Sequence, residues 1–182
     1  MIPAIPTTYR NVRFRSRLEA KWAAFFDLLG WPWLYEPIDL NGYIPDFILQ
    51  LPNPVLVEVK PAFSFDELRK HTAKIDASGW EGECLLVGAC LLRAETWDRH
   101  SLGLLGQFVP AHEAVEAGIE AHFYWYDPAI LIDNKGHAGF NAEYNSYSDR
   151  VAEDNDWKNY KRLHNADALW AKAGNIVQWK AA

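Results

Sequence analysis

The chain is poor in cysteine, in excess positive charge and in long apolar runs, and each shortage removes a class of protein. Its only cysteines are Cys84 and Cys90. They share parity on one apolar run, which suits buried free thiols better than a disulfide or a zinc site. No apolar run approaches the roughly 20 residues that cross a bilayer. The opening M-I-P-A-I-P-T-T-Y-R lacks the charged head and apolar body of a signal peptide. A cytoplasmic protein without a membrane partner is expected. The formal net charge is −6, which argues against a broad basic nucleic-acid surface. It does not argue against a nuclease, because catalytic carboxylates neutralised by bound cations count as negative in that sum. The chain also lacks a G-x-S-x-G elbow, an H-E-x-x-H zinc motif and a Gly-rich phosphate loop.

What is present is an ordinary soluble composition, 49% hydrophobic and 23% charged over 182 residues, enough for one domain with a sizeable core. Nine Trp, eight Tyr and nine Phe make a heavy aromatic load, expected to fill the core or an interface. Residues 1–9 read as an ordered arm or a loose tail, since Pro3 and Pro6 prevent a helix. Arg10, Arg13, Arg15, Arg17 and Lys21 follow, with Glu19 the only acid among them. This cluster reads either as a phosphate-contacting edge or as a solvated helix start.

Ser16 and Glu19 have the spacing of a capping box. Leu18, Trp22, Phe25 and Leu29 then recur on one helical face, and Gly30 and Pro32 mark its end. Strands are expected at 33–36, 43–49 and 55–60, with Asn41-Gly42 as a hairpin turn. In the second, Ile44, Asp46 and Ile48 share one face and Tyr43, Phe47 and Leu49 the other. In the third, Val55, Val57 and Val59 oppose Leu56, Glu58 and Lys60. A helix over 65–77 and a doubly buried strand over 83–92 follow. Beyond Arg93 the pattern weakens. We expect a loop at 101–106, a short helix at 111–118, and antiparallel strands at 121–126, 129–133 and 138–144 with a turn at 133–136. After an acidic stretch at 149–156, Asp156 caps a helix over 157–173, which Gly174-Asn175 ends before a short strand at 176–179. The expected organisation is a core at 1–92, an insertion at 93–156 and a C-terminal helix and strand at 157–182 packing on the core.

The chemistry concentrates in 43–61, Y-I-P-D-F-I-L-Q-L-P-N-P-V-L-V-E-V-K-P. Asp46 and Glu58 are separated by enough chain for two neighbouring antiparallel strands and a turn, while Glu58 and Lys60, two apart, face one side. Two carboxylates and an amine among core residues are costly unless paired or bound to metal. If Asp46 lies beside Glu58, the all-oxygen pair suits a hard ion such as Mg²⁺, with Mn²⁺ able to substitute. Such an ion would polarise a phosphoryl oxygen and lower the pKa of a water. Lys60 could orient that water or stabilise developing charge. The set suits phosphodiester hydrolysis better than acyl transfer.

Pro45-Asp46 followed by Glu58-Val59-Lys60 resembles the PD-(D/E)XK nuclease superfamily, and F-R-S-R-L-E-A-K-W-A-A-F-F-D-L-L-G with W-L-Y-E-P resembles its phage and prophage branch. The resemblance spans residues 10–92, with W-A-K-A-G-N-I-V-Q-W near the end also similar. It implies an α/β fold with an αβββαβ restriction-endonuclease-like core, a mixed four-stranded sheet flanked by helices, to which the residue pattern adds a β-rich insertion and a C-terminal helix that the resemblance does not supply. It further implies a DNA endonuclease in which Asp46, Glu58 and the Val59 carbonyl hold the metal, Lys60 is the catalytic lysine, and Glu19 binds metal directly or through water. Arg13, Arg15, Arg17, Lys70 and Lys74 are the candidate DNA contacts, with His71 a loose match. Zinc and organic cofactors are not expected, although relatives often carry a Cys-rich zinc ribbon. A homodimer would suit cutting of two strands. Two competing readings are a catalytically silent DNA-binding or assembly module of the same fold, and a phage protein that binds a host factor through an acidic 127–156 region.

Overall fold

The computed structural model describes residues 4–94, 99–110, 123–126, 128–134, 137–142 and 161–178. Its fold is built outward from strand β5, Val55–Val59, every residue of which is buried. Alternation sends Val55, Val57 and Val59 into one apolar cluster and Leu56 into another on the opposite face. A strand with two apolar faces needs cover on both, and helices supply it.

On the valine face lies α1, Arg17–Leu29. Ser16 caps it as expected, its Oγ accepting the Glu19 amide at 3.1 Å, and Gly30 ends it in the left-handed region at φ 76° that glycine tolerates without strain. Trp22, Phe25 and Phe26 are completely buried, each contributing roughly 2–3 kcal/mol by removal from water. The Trp22 indole also donates to the Gly88 carbonyl at 2.8 Å, fastening the helix to the sheet. Against α1 packs a last helix, α4, Ala166–Ile176, through Trp170, whose ring meets Trp22 and Phe25 at 4.6 and 5.3 Å. The opposite face is covered by α2, Phe65–Arg69, and α3, Thr72–Asp76, through the buried Leu68 and Ile75.

Nine strands form one mixed sheet among the described residues. β3 (Trp33–Tyr35), β4 (Phe47–Leu49) and β5 run antiparallel in sequence order. The α2–α3 crossover then brings in β6 (Glu83–Ala94), parallel to β5. β7 (Arg99–Phe108) returns antiparallel to β6. β8 (Phe123–Tyr126) and β9 (Ala129–Asn134) pair with β7, and β10 (His137–Ala142) and β11 (Lys161–Arg162) pair with β9. The chain is therefore α/β, a mixed sheet flanked by helices, and the strands after β6 extend that same sheet.

Several elements differ from expectation. Of residues 1–9, expected as an ordered arm or a loose tail, Thr7–Tyr9 form a strand, β1, that pairs in a hairpin with β2 (Val12–Phe14). Its turn places Arg10 and Asn11 at φ 47° and 64°, and Phe14 is fully buried against Tyr35. The 101–106 segment is strand, not loop. The 65–77 helix is two short helices, broken where the His71 amide bonds back to the Leu68 carbonyl at 2.9 Å. Of the helix expected over 157–173, residues 161–162 are strand and α4 starts after Asn165, while the Asp156 cap and residues 157–160 lie outside the described residues; α4 continues through Gly174 and Asn175, so Ile176 is helical rather than in a strand. Gly174 stands beside the flexible end of Lys21, whose Cε a Cβ there would meet at 3.3 Å, and Lys21 lies over the Trp170 ring. The expected helix at 111–118, the turn residues 135–136, the acidic stretch 149–156 and the end of the expected 176–179 strand lie outside the described residues.

Candidate functional site

The Asn41-Gly42 turn forms as its sequence predicts, with Leu40 and Tyr43 exchanging backbone bonds across φ values of 54° and 87°. β4 does not resume until Phe47, because Pro45 has no amide to give a ladder. Residues 43–46 therefore leave the strict alternation, and Tyr43 turns towards the side expected for Asp46. Phe47 pairs with Val57. Continued by one residue, that register sets Asp46 across from Glu58.

Asp46 and Glu58 are 4% and 7% exposed, and both line a cleft of about 750 Å³ with Glu19, Lys60, Arg15 and Lys74. Asp46 Oδ2 accepts the Val59 amide at 2.7 Å and Oδ1 accepts Arg15 Nη2 at 2.6 Å. Glu58 Oε2 accepts the Tyr43 hydroxyl at 2.8 Å, and Oε1 accepts Lys60 Nζ. The Lys60 amide donates to the Val87 carbonyl at 2.9 Å, and the Ala89 amide to that of Ala62 at 2.7 Å. The loop carrying the lysine is thus pinned to β6 on both sides.

Glu19, 8% exposed at the start of α1, both serves the cap and faces the cleft. Its Oε1 accepts the Ser16 hydroxyl at 2.7 Å. Its Oε2 accepts the Tyr35 hydroxyl at 2.6 Å and the Arg15 amide at 3.2 Å. The two roles proposed from sequence do not exclude each other.

Burial, then the Glu58 charge and more weakly that of Glu19, push the Asp46 carboxyl up to about 7, against the opposing pull of the Val59 amide and of Lys60. A divalent cation bound beside so buried a carboxyl would favour its charged form. Burial and the bond to Glu19 lift the Tyr35 phenol to about 12, and burial with the Glu58 charge lifts Tyr43 further. Both hydroxyls therefore remain donors at neutral pH. Burial and the Lys60 charge lower His71, which is exposed and does not line the cleft.

An all-oxygen set on buried carboxylates fits a hard divalent ion. Among the described residues, however, no three His, Cys, Asp or Glu side chains are gathered closely enough to share one ion without rearrangement. Protein cations, Arg15 on Asp46 and Lys60 on Glu58, hold the carboxylates instead. Of the expected DNA contacts, Arg15 and Lys74 line the cleft, whereas the exposed Arg13, Arg17 and Lys70 do not.

Three participants escape sequence reasoning. Tyr35 and Tyr43 look like alternating core aromatics, and only the third dimension turns their hydroxyls onto Glu19 and Glu58. Glu36 carries one signal. It precedes Pro37, where the αR region is disfavoured, and it takes the left-handed φ of 46°, uncommon for a residue with a Cβ. Its amide donates to the Asp46 carbonyl at 3.0 Å and its carboxylate binds Arg15 at 2.9 Å. Cys84 and Cys90 are free thiols, as their parity suggested, and stand apart from the cleft lining. No helix among the described residues is long and apolar enough to cross a membrane.

Comparison of the chain with protein-family models, with curated proteins and with solved structures finds no match in any of the three.

Proposed function

We propose that the chain is a metal-dependent endonuclease that hydrolyses DNA phosphodiester bonds, of the PD-(D/E)XK kind. The observation that carries this reading is the convergence of Asp46, Glu58 and Lys60 on one cleft, with Glu19 reaching it from α1. The order α1, β3–β4–β5, α2–α3, β6, with β5 and β6 parallel, supports the restriction-endonuclease-like arrangement. The phage-type assignment rests on sequence resemblance alone.

In this reading Asp46, Glu58 and the Val59 carbonyl hold Mg²⁺ or Mn²⁺, with Glu19 joining directly or through water. The chemistry that such an ion supplies is Lewis acidity at the phosphoryl oxygen and a water of lowered pKa. The protein supplies position. The Val59 amide fixes Asp46, Tyr43 fixes Glu58, and Tyr35 with Ser16 fixes Glu19, while sharing one ion would require the carboxylates to draw closer and Arg15 and Lys60 to give way. Lys60, pinned through its backbone to β6, orients the attacking water or meets the charge that develops on phosphorus. A water oxygen would bond to phosphorus as the phosphorus–oxygen bond to the leaving nucleotide breaks, the proton given up by the water passing to solvent and the leaving oxygen taking one from solvent. Arg15 and Lys74 would meet the strand's phosphates, with Arg13, Arg17 and Lys70 further out.

One observation favours the silent-module reading. The protein's own cations already occupy Asp46 and Glu58, and no ion-ready trio stands among the described residues. Cleavage of plasmid, single-stranded and branched DNA in Mg²⁺, Mn²⁺ or EDTA separates the two. The enzyme predicts metal-dependent cutting that falls by at least about 100-fold in Asp46→Ala and in Lys60→Ala. DNA binding with no cutting in any metal would instead identify the module.

A further inference from the structure

Arg15 is held at two ends by different carboxylates. Its Nη2 donates to Asp46 Oδ1 at 2.6 Å while its Nε lies 2.9 Å from Glu36 Oε1 and 4.0 Å from Glu19 Oε2. The backbone beneath is fixed, because its amide is shared between Glu19 Oε2 and the Tyr35 hydroxyl. The side chain itself is 59% exposed, so no packed core stands in the way of its moving. Asp46 has two oxygens, and the Val59 amide occupies Oδ2. Arg15 therefore sits on the oxygen that remains for an incoming ion. Glu36 does not line the cleft, yet its amide bonds the carbonyl of Asp46 itself, so it is a fixed anchor beside the site.

This inference rests on the cleft being a divalent-ion site. We infer that Arg15 is the resident counter-cation of Asp46, that it yields Oδ1 to a divalent ion while Glu36 retains its Nε, and that the freed end of the guanidinium then grips a phosphate of the bound strand. A guanidinium and a doubly charged ion that compete for one carboxylate oxygen repel each other, the more strongly the lower the local dielectric. The contact that breaks is the one to the contested oxygen; the one to Glu36, outside the cleft, survives. A guanidinium released at one end presents paired N–H donors that match a phosphate's geometry. Arg15 is thus a positioning residue that links metal loading to strand binding, and the linkage is reciprocal: each ligand tightens the other.

The test measures binding rather than cutting. Calorimetric titration of the full chain with Mg²⁺ compares wild type with Arg15→Ala and with Arg15→Gln, and circular dichroism checks that each variant is folded. Removing the internal competitor is expected to tighten Mg²⁺ by about tenfold, because the competent state no longer has to be uncovered. Anisotropy of a labelled oligonucleotide, measured in a Lys60→Ala background to prevent cutting, should show Mg²⁺ raising strand affinity by about tenfold with Arg15 present and less than about twofold without it. Glu36→Gln should lose part of that enhancement while still binding Mg²⁺. Unchanged or weaker Mg²⁺ binding in both Arg15 variants would overturn the inference and leave the metal site standing. Absence of Mg²⁺ and Mn²⁺ binding in wild type and variants alike would overturn the metal site and the inference with it.

Discussion

Asp46 is pulled two ways, by a cation at 2.6 Å and by a buried setting that disfavours its charge. Burial with the neighbouring carboxylates prevails, and the carboxyl is raised from 3.8 to about 7. The sign of the consequence follows by linkage. Between about pH 4 and pH 7 the folded state keeps a proton that the unfolded chain releases, so wild type loses stability as pH rises through that window. The isosteric Asp46→Asn has no such proton. Relative to it, wild type should lose up to roughly 4 kcal/mol across the window and no more above it. Urea melts of both proteins at pH 4, 5.5, 7 and 8 check this. A relative gain for wild type with rising pH would mean that the Arg15 bond outweighs burial. The residues of this site were legible because E-V-K and P-D place charge where alternation calls for core. Their protein partners were not. Arg15 read as one of five basic residues forming a phosphate-contacting edge or a solvated helix start, and nothing in a linear pattern says that its side chain folds back over Asp46 and Glu36.

Helix α1 shows what local chemistry can specify. Its cap, its apolar face and its glycine stop were all readable, because each depends on residues a few positions apart. Ser16 does more than the capping rule requires, since its hydroxyl accepts the Glu19 amide and donates to the Glu19 carboxylate. Ser16→Ala should destabilise the protein by about 1 kcal/mol, measurable by chemical denaturation, whereas Ser16→Thr, which keeps the hydroxyl, should avoid most of that loss. A neutral effect of the alanine would show that Glu19 is held by Tyr35 and Arg15 alone. Strand β7 shows the converse. Ser101, Gly103 and Gly106 resemble a loop, but a Cβ on Gly103 would lie 2.1 Å from the Leu86 carbonyl oxygen and one on Gly106 2.6 Å from Cys84 Sγ. Glycine is there because β6 and β7 approach closely, and close approach is a property of two strands. The end of α4 was misplaced because a Gly-Asn pair reads as a helix stop, whereas the helix runs through both to Ile176. The hairpin of β1 and β2 was hidden because Arg10 and Asn11, rather than glycines, take its left-handed turn.

At the scale of the whole molecule, the cleft lies where separate layers meet. Glu19 comes from the α1 layer, Asp46, Glu58 and Lys60 from the sheet and its ends, and Lys74 from α3 on the opposite face. An ion gripped by Glu19, Asp46 and Glu58 would therefore tie a helix to the sheet and could bind only the folded chain. Ligand binding of that kind adds about 2.7 kcal/mol at one hundred times the dissociation constant. For a chain of this size that corresponds to a rise in melting temperature of roughly 5–10 °C. Thermal melts in saturating Mg²⁺ or Mn²⁺ against EDTA check it. The shift should vanish in Asp46→Asn and in Glu58→Gln, and should shrink in Glu19→Gln if that carboxylate is a ligand. An equal rise in wild type and in Asp46→Asn would place the ion elsewhere on this acidic protein. A rise that depends on Asp46 and Glu58 but is indifferent to Glu19 would confine the metal to the β4–β5 edge and leave Glu19 as the cap of α1.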